Sequence, residues 1–208
     1  EIFKARLCAR GFSQLQGIDY DETYAPTVSR AGLRCLLAIG VQFNLLIHVI
    51  DCKNAFLNGE IDREIFMEQP PYMYEKGKPA STHVWKLNKA LYGLKHSPLI
   101  WNVTLHTALG DMGFRRMKHE PCIYVRCEGE NPNKLDVHET FTMLAVYVDD
   151  ITIAARTEKA LEYAKRSISN IFKIKDEGPA TKVIGIELFR SRGSLLLHQS
   201  EYLGNVLD

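Results

Sequence analysis

Three aspartates in this 208-residue chain stand at the ends of segments that are otherwise apolar. Asp149 and Asp150 lie side by side between the runs AVYV and ITIA, and Asp51 ends the run LLIHVID. Such runs are typical of buried strands, and neighbouring strands would bring Asp51 and one member of the pair to one sheet edge. Carboxylate oxygens there suit Mg2+, and two such ions can promote a phosphoryl transfer. The pattern predicts a magnesium site, with Asp149 as the closer partner of Asp51.

The acidic pair alone also fits a simpler structure, the exposed tip of a hairpin. A two-residue connection is the commonest hairpin geometry, and its favoured turns need positive φ, which aspartate tolerates at some cost. Two carboxylates about 6 Å apart repel by only roughly 0.7 kcal/mol in water, and several-fold more where solvent is excluded. The pair therefore predicts a turn at Asp149 and Asp150, and only Asp51 favours the metal site over the exposed tip.

The segments that would position these aspartates alternate between helical and strand patterns. Ser29, Ser97 and Thr157 each introduce a stretch with apolar residues at helical spacing, which predicts three helix starts. The runs LLIHVID, EIFMEQ, CIYVRC, FTMLAVYV, KVIGIELFR and SLLLHQ are typical of strands. This order predicts an α+β fold in which helices cover one face of a mostly antiparallel sheet, with LLIHVID as a central strand.

Basic and titratable residues elsewhere in the chain are less specific. Lys4, Arg6 and Arg10 have even spacing, so an extended strand would place their side chains on one face. From spacing alone, a solvated strand edge protected by charge is the simpler interpretation of this basic stripe. His48, inside LLIHVID, is more typical of a core histidine than of a metal ligand.

Composition indicates an ordinary globular protein, with 46% hydrophobic and 25% charged residues. The formal net charge of +1 offers no electrostatic argument for a nucleic-acid or membrane partner. Five cysteines without a recognisable framework predict free thiols, and no apolar run approaches the ~18 residues of a membrane span. We therefore expect an intracellular protein with no membrane partner. Because the chain begins without Met and ends within a helical pattern, we expect a fragment of something longer.

Six segments carry a resemblance to a known family: KARLCARGFSQLQGIDYDETYAP, HVIDCKNAFLNGEIDREIFMEQPP, VWKLNKALYGLKHSPLIWN, YVDDITIA, GIELFR and LHQSEYL. In this order and at nearly this spacing, they resemble the reverse transcriptase domain of copia-type LTR retrotransposon Pol polyproteins. The resemblance covers nearly the whole chain. It implies a right-hand polymerase fold over residues 1–208, with fingers and palm interleaved, the thumb largely absent, and helices packed on one face of a mostly antiparallel palm sheet.

For the aspartates, the resemblance implies that Asp51, Asp149 and Asp150 are catalytic carboxylates that bind two Mg2+ ions, with Mn2+ as a possible substitute. Asp51 and Asp149 would bridge both ions, and Asp150 would help less directly. Phe56 matches the aromatic residue that lies under the nucleotide sugar in this class, where its ring would clash with a ribose 2′-hydroxyl. Without the resemblance, Phe56 in NAFL would be taken for a core aromatic.

Further residues match the part of the family that contacts the nucleotide. Lys4 and Arg6 fall on the fingers segment that meets the incoming triphosphate, and the planar guanidinium of Arg6 suits phosphate oxygens. Tyr92 and Gly93, in LYGLKHSP, match the segment that lines the nucleotide pocket and template. Without the resemblance, LYGLKHSP predicts only a turn before the helix.

A third group of matches concerns the primer. Gly185 and Ile186, in VIGIELFR, match the hairpin that holds the primer end, although a plain sheet hairpin has the same pattern. The chain departs from the family at His96, Leu99 and Ile100, where Gln, Arg and Ala are more usual. Loss of a cation at position 99 would weaken the expected affinity for template or primer.

Taken together, the resemblance predicts an RNA-directed DNA polymerase that adds deoxynucleoside triphosphates to a primer on an RNA or DNA template. The expected partners also include the ribonuclease H and integrase regions of the same polyprotein, and the expected location is a cytoplasmic virus-like particle. The alternative is a catalytically inactive remnant of a retrotransposon that at most binds nucleic acid.

Overall fold

A computed structural model describes Phe3 and residues 5–74, 76–127 and 137–207 of the chain. Lys4 lies outside the described residues, so its predicted contact with a triphosphate stays a prediction. In the described part, no helix has the length and apolar character needed to cross a membrane.

The described residues form four α-helices and eleven β-strands. The helices are α1 (Arg30–Gln42), α2 (Ser97–Asp111), α3 (Glu158–Ser169) and α4 (Ser200–Leu207). The strands are β1 (Leu46–Cys52), β2 (Glu60–Glu68), β3 (Val84–Lys89), β4 (Arg115–Arg116), β5 (Ile123–Arg126), β6 (Thr142–Tyr147), β7 (Asp150–Ala155), β8 (Ile174–Pro179), β9 (Lys182–Val183), β10 (Ile186–Ser191) and β11 (Ser194–His198).

The chain divides into two compact units, each built from two separate segments. Unit 1 comprises Glu1–Ala25 and Asn54–Leu105, and unit 2 comprises Pro26–Lys53 and His106–Asp208. The assignment of these units to fingers and palm stays a prediction.

Unit 2 contains a six-stranded sheet in the order β4-β5-β6-β7-β1-β8, and a smaller sheet in the order β11-β10-β9. Every strand pairing in both sheets is antiparallel. The expected mixture of helices with a mostly antiparallel sheet is therefore confirmed, as is the position of β1 inside the sheet. The right-hand arrangement stays a prediction.

Helices cover both faces of the large sheet, so the expectation that they pack on one face is wrong. Ile47 and Val49 of β1 belong to the same buried cluster as the apolar side chains of α1. Between them, His48 contacts Lys165 of α3, with 2.9 Å between His48 Nδ1 and Lys165 Nζ. Because side chains alternate along a strand, α1 and α3 lie on opposite faces. The physical reason is that β1, β6 and β7 carry consecutive apolar residues, which need cover on both sides.

Lys165 is a buried cation that ties α3 to the sheet. Its Nζ lies 2.7 Å from Asp176 Oδ2, and the residue is only 7% exposed. Burial alone would raise the pKa of Asp176, but hydrogen bonds from Lys165 and from the Gly178 N–H lower it. Burial, together with the charge of Lys165, also lowers the pKa of His48. The pair therefore compensates a charge that would otherwise be costly to bury.

Side-chain caps begin two of the predicted helices. Ser29 Oγ accepts a hydrogen bond from the Gly32 N–H at 2.9 Å, and Thr157 Oγ1 accepts one from the Ala160 N–H at 3.2 Å. Both contacts satisfy backbone donors that a helix start would otherwise leave unpaired. With α2 beginning at Ser97, all three predicted helix starts are confirmed.

In unit 1, the backbone around Ala9 and Gly11 lies very close to the backbone of the turn before α2. The Ala9 N–H donates to the Tyr92 carbonyl at 2.7 Å. A Cβ atom on Gly93 would lie 2.1 Å from the Ala9 oxygen, and one on Gly11 would lie 1.9 Å from the Gly93 oxygen. Gly93 also has φ +92°, so both its space and its backbone conformation require glycine.

Replacing Gly93 by alanine should therefore destabilise unit 1 more than a matched change at Gly17. Gly17 has φ +81°, but no atom lies within 4 Å of the place where a Cβ would stand, so Gly17→Ala adds backbone strain without a clash. We expect Gly17→Ala to lower the free energy of unfolding by about 1–2 kcal/mol and Gly93→Ala by about 2–4 kcal/mol. Urea unfolding followed by tryptophan fluorescence would measure this, since both Trp85 and Trp101 lie in unit 1. Equal losses for the two variants would contradict the close approach.

Candidate active site

The hairpin between β6 and β7 determines where the two adjacent aspartates lie. Its register pairs Tyr147 with Asp150, so the two turn residues are Val148 and Asp149. The expected turn at Asp149 and Asp150 is therefore wrong by one position. Positive φ falls on Val148, at 56°, which is rare and strained for a β-branched residue. Asp149 belongs to the turn, whereas Asp150 is the first residue of a buried strand.

The pairing of β7 with β1 brings Asp51 to the same edge. Asp51 lies opposite Asp150 in the register, and the Asp149 carbonyl accepts a hydrogen bond from the Cys52 N–H at 2.8 Å. In the register, Asp150 and not Asp149 lies opposite Asp51, whereas the expectation that the Asp149 carboxylate lies closer to Asp51 stays a prediction. Directly opposed residues of antiparallel strands share a face, which places Asp51 and Asp150 on the same side. Asp149 is held to β1 through its backbone.

The charges of the three aspartates act on each other and on a buried thiol. Burial, and then the charges of Asp149, Asp51 and Glu177, raise the pKa of the half-buried Asp150 to about 6. Burial and the same three aspartates raise the pKa of Cys52, which is 1% exposed, to about 12. The edge therefore carries negative charge that its surroundings do not fully neutralise.

One cation partly offsets this charge. Lys53 Nζ lies 3.2 Å from Asp51 Oδ2, and the side chains are 43% and 26% exposed. Ion pairs this exposed contribute little, because water and salt screen them. Lys175 lies opposite Asp51 in β8, but its Nζ pairs with Glu177 Oε1 at 2.8 Å. A further cation at this edge would relieve the repulsion that remains.

The chemistry of these aspartates fits Mg2+, although the ligands are not assembled. Throughout the part of the chain that the structure describes, no group of three or more His, Cys, Asp or Glu side chains is arranged to hold a metal ion. Mg2+ needs only one or two carboxylates when waters and substrate phosphates supply the other oxygens. Metal binding by Asp51, Asp149 and Asp150 therefore stays a prediction, supported by donor type and by the unneutralised charge.

In unit 1, the structure brings together four of the five residues predicted to contact a nucleotide. The Arg6 guanidinium carbon lies 4.5 Å from the centre of the Tyr92 ring. The centre of the Phe56 ring lies 4.7 Å from that of Tyr92, with the ring planes at 60°. Gly93 follows Tyr92 and makes the close approach to Ala9 described above. We refer to Arg6, Tyr92 and Phe56 as the Arg–Tyr–Phe column.

The backbone around Phe56 is held by local hydrogen bonds. Phe56 lies in a short 3-10 helix, Ala55–Asn58, which follows Asn54 in the left-handed conformation with φ 54°. Asn58 Nδ2 donates to the carbonyls of Asn54 at 3.2 Å and Ala55 at 3.1 Å. The Phe56 ring is half-buried rather than part of the core, so the simple prediction of a core aromatic does not hold.

The predicted primer residues form a tight hairpin. Ile186 pairs with Val183, so Ile184 and Gly185 make the turn between β9 and β10, with φ of 47° and 75°. The hairpin that the resemblance implies in VIGIELFR is present, but its turn lies at Ile184 and Gly185, and the expectation of a strand along KVIGIELFR is wrong because this turn divides it into β9 and β10. Contact of the hairpin with a primer stays a prediction.

The structure shows the surroundings of His96 and Ile100, two of the positions that depart from the family. His96 is 4% exposed, and in the described structure neither of its ring nitrogens has a hydrogen-bond partner. Burial lowers its pKa, as expected for an imidazole that cannot be solvated. Ile100 packs against Gly59, because a Cβ on that glycine would lie 2.3 Å from Ile100 Cγ2. Sequence patterns predicted neither the burial of His96 nor the contact between Ile100 and Gly59, which lie far apart in the chain.

The raised pKa of Asp150 predicts a distinctive effect of pH on stability. In the unfolded chain the carboxyl ionises near pH 4, and in the folded chain near pH 6, so ionisation between these values costs the folded state stability. Relative to wild type, Asp150→Asn should become more stable by about 1–2 kcal/mol as pH rises from 4 to 7, after allowance for partial exposure. Urea unfolding at several pH values would measure this difference.

Asp62→Asn is the control for this measurement. The hydrogen bond from Arg63 lowers the pKa of Asp62, which is the opposite direction to the shift at Asp150. Relative to wild type, Asp62→Asn should therefore not gain stability as Asp150→Asn does when pH rises from 4 to 7. A constant difference between wild type and Asp150→Asn over the same range would contradict the raised pKa of Asp150, and with it the burial and neighbouring charges that raise it.

Comparison with known proteins finds a matching family model and several related polyproteins. The family model described as "Reverse transcriptase (RNA-dependent DNA polymerase)" matches residues 1–208. The chain is 35% identical over 208 residues to the retrovirus-related Pol polyprotein from transposon TNT 1-94 of Nicotiana tabacum, covering 99% of this chain and 15% of that protein. It is 34% identical over 205 residues to the corresponding polyprotein from transposon RE1 of Arabidopsis thaliana, covering 99% and 13%.

A more distant similarity extends to yeast. The transposon Ty1-ER2 Gag-Pol polyprotein of Saccharomyces cerevisiae is 26% identical over 189 residues, covering 88% of this chain and 9% of that protein. The chain thus spans less than a sixth of the length of these relatives. Because the family model matches the whole chain and the relatives match nearly all of it, the chain belongs to the reverse transcriptase family, in its copia-type retrotransposon branch.

Proposed function

We propose that the chain is an RNA-directed DNA polymerase, which extends a primer by one deoxynucleotide at a time on an RNA or DNA template. In the reaction, the primer 3′-hydroxyl attacks the α-phosphorus of a deoxynucleoside triphosphate, and pyrophosphate leaves. The observation that carries the proposal is the meeting of Asp51, Asp149 and Asp150 at one edge of the large sheet, where burial and neighbouring charges raise the pKa of Asp150. Family membership supports the type of reaction.

The aspartates would hold Mg2+ or Mn2+, with Asp51 and Asp149 as the principal ligands and Asp150 as the weaker one. When bound, such ions favour ionisation of the attacking hydroxyl and neutralise charge on the leaving oxygens. Burial and neighbouring charges disfavour the ionised form of Asp150, which supports its lesser role. The position of Asp149 in a strained turn, with its carbonyl bonded to Cys52, supports a backbone fixed before any ligand arrives.

The residues of unit 1 would recognise the nucleotide. Arg6 is exposed, and its planar guanidinium can donate two parallel hydrogen bonds to phosphate oxygens. Phe56 would act as a steric gate, since a ring under the sugar leaves no space for a 2′-hydroxyl. Tyr92 and Gly93 would complete this surface, and Lys4 would add a second cation.

Other partners follow from the longer relatives, whose names describe Pol or Gag-Pol polyproteins. Gly185 and Ile186 would contact the primer end. The ribonuclease H and integrase regions of the same polyprotein would act alongside this chain, and all would work in a cytoplasmic virus-like particle.

A second candidate function is a nucleic-acid-binding remnant without catalysis. The observation that favours it is His96, whose two ring nitrogens are buried without a hydrogen-bond partner in the described structure. Unpaired buried polar groups destabilise a fold by about 1–3 kcal/mol each, so His96 lowers the stability of unit 1. Leu99, where the family usually has a cation, favours the same alternative.

Primer extension on an RNA template distinguishes the two functions. With the chain in excess over primer and template at low salt, the weak affinity of a short chain does not limit the reaction. We expect extension that requires Mg2+ and that falls at least about a hundredfold in Asp149→Asn and about tenfold in Asp150→Asn. Asp111→Asn, an exposed change at the end of α2, should leave the rate unchanged.

Fluorescence anisotropy of labelled primer-template should accompany this assay, because it shows when the chain is saturated. Saturation without extension would support the remnant and contradict the polymerase. Extension that Asp149→Asn leaves undiminished would contradict the assignment of the metal ligands.

The steric gate predicts a change in sugar selectivity. Phe56→Val should raise ribonucleotide incorporation relative to deoxyribonucleotide incorporation by roughly tenfold or more, because it removes the ring that would meet the 2′-hydroxyl. Phe56→Tyr retains a ring of the same width and should stay within about twofold of wild type. The values of kcat/KM for matched pairs of ribonucleotide and deoxyribonucleotide would measure this ratio. An unchanged ratio in Phe56→Val would reject the proposed role of Phe56 as a gate.

A further inference from the structure

Tyr92 occupies the middle of the Arg–Tyr–Phe column in unit 1. Its ring centre lies 4.5 Å from the Arg6 guanidinium carbon and 4.7 Å from the centre of the Phe56 ring. Both distances are those of favourable contacts, a cation over an aromatic ring in the first case and a tilted aromatic pair in the second. One side chain therefore contacts both the residue proposed for the triphosphate and the residue proposed for the sugar.

The position of Tyr92 is itself fixed by its backbone. Its carbonyl accepts the Ala9 N–H at 2.7 Å, and the neighbouring Gly93 and Gly11 allow the two segments to approach closely. Ala9 lies three residues beyond Arg6 in the chain. The segment that carries Arg6 is thus attached to the turn that carries Tyr92, by a backbone contact that does not depend on either side chain.

Phe56 has a well-held backbone but a side chain that needs support. The short helix Ala55–Asn58 has too few residues to surround the ring with neighbours from adjacent turns. A half-buried phenylalanine can rotate about χ1 between staggered positions unless another group restricts it. The Tyr92 ring is placed to provide that restriction, and a steric gate excludes a hydroxyl only while its ring stays in one position.

We propose that Tyr92 is a positioning residue for sugar discrimination, which holds the Phe56 ring in the orientation that excludes a 2′-hydroxyl. The proposal rests on the proposed polymerase function and on Phe56 as its gate. Through its contact with Arg6, Tyr92 also links the orientation of the gate to the residue that meets the triphosphate. The property that matters is the aromatic ring of Tyr92, not its hydroxyl.

Sugar selectivity in three variants tests this role. Tyr92→Leu keeps apolar bulk but removes the ring, and we expect the ratio of deoxyribonucleotide to ribonucleotide kcat/KM to fall roughly two- to tenfold. Tyr92→Phe keeps the ring and should remain within about twofold of wild type. Tyr72→Leu is the matched control, since Tyr72 is 99% exposed and should not affect the ratio.

A double variant separates this proposal from the proposed function. If Tyr92 acts through Phe56, Tyr92→Leu should have no further effect on the ratio in a Phe56→Val background, whereas independent residues would add. An unchanged ratio in Phe56→Val would reject the gate itself. A normal effect of Phe56→Val together with an unchanged ratio in Tyr92→Leu would reject only the role of Tyr92.

Nuclear magnetic resonance supplies a readout that does not depend on catalysis. Side-chain couplings of Phe56 in the 208-residue chain should show one dominant χ1 state in wild type and in Tyr92→Phe, and averaging between states in Tyr92→Leu. A single fixed state in Tyr92→Leu, in a variant that urea unfolding shows to be folded, would overturn the proposal.

Discussion

The antiparallel register between β1 and β7 is the constraint on which the candidate site depends. It opposes Asp51 to Asp150 and brings Asp149 within a backbone hydrogen bond of Cys52. A slip of one residue would turn Ile47 and Val49 away from the cluster that they share with α1 and would turn His48 towards it. Burial of apolar side chains on both faces of β1 thus determines where three negative charges must meet. Burial of the hydrophobic core offsets the repulsion among the three aspartates, and the proposed metal site would use their negative charge.

The clustered negative charge contributes to raised pKa values in two groups, a carboxyl and a thiol. Burial and neighbouring charges raise the pKa of the half-buried Asp150 to about 6, and burial together with the three aspartates keeps the Cys52 thiol protonated. Nearby lysines relieve little of this, since one is largely exposed and another is paired with Glu177. A divalent cation with substrate phosphates would gather ligands that now repel one another, which is why the ligands need not be assembled beforehand. In unit 1, by contrast, two glycines and an aromatic ring position the proposed nucleotide contacts without any buried charge.

Local patterns predicted the elements well, because the interactions that begin them are local. Ser29 and Thr157 form the expected caps, and LLIHVID forms the expected interior strand. The error about the helices was avoidable, since apolar residues on both faces of β1 already require cover on both sides. The turn at Val148 was not predictable from residue type, because a β-branched residue is among the least suited to positive φ.

Contacts between distant segments were also beyond a reading of local patterns. Residue spacing does not relate Phe56 to Tyr92 or Gly11 to Gly93, although the structure brings both pairs into contact. Spacing also did not predict the burial of His96. The resemblance to reverse transcriptases selected Arg6, Phe56, Tyr92 and Gly93 as functional, and the structure shows them as neighbours. Their contacts with each other were not part of that expectation.

Paramagnetic broadening by Mn2+ tests the central claim, that the three aspartates form a divalent-cation site, without requiring catalysis. In amide spectra of the 208-residue chain, substoichiometric Mn2+ should broaden the signals of Cys52, Val148 and Ile151 first, because they flank the carboxylates. Asp149→Asn should abolish this selectivity, and excess Mg2+ should reverse it in wild type. Broadening that begins instead around other acidic residues, such as Asp21 and Asp62 beside Arg63, and spares the sheet edge would contradict the account.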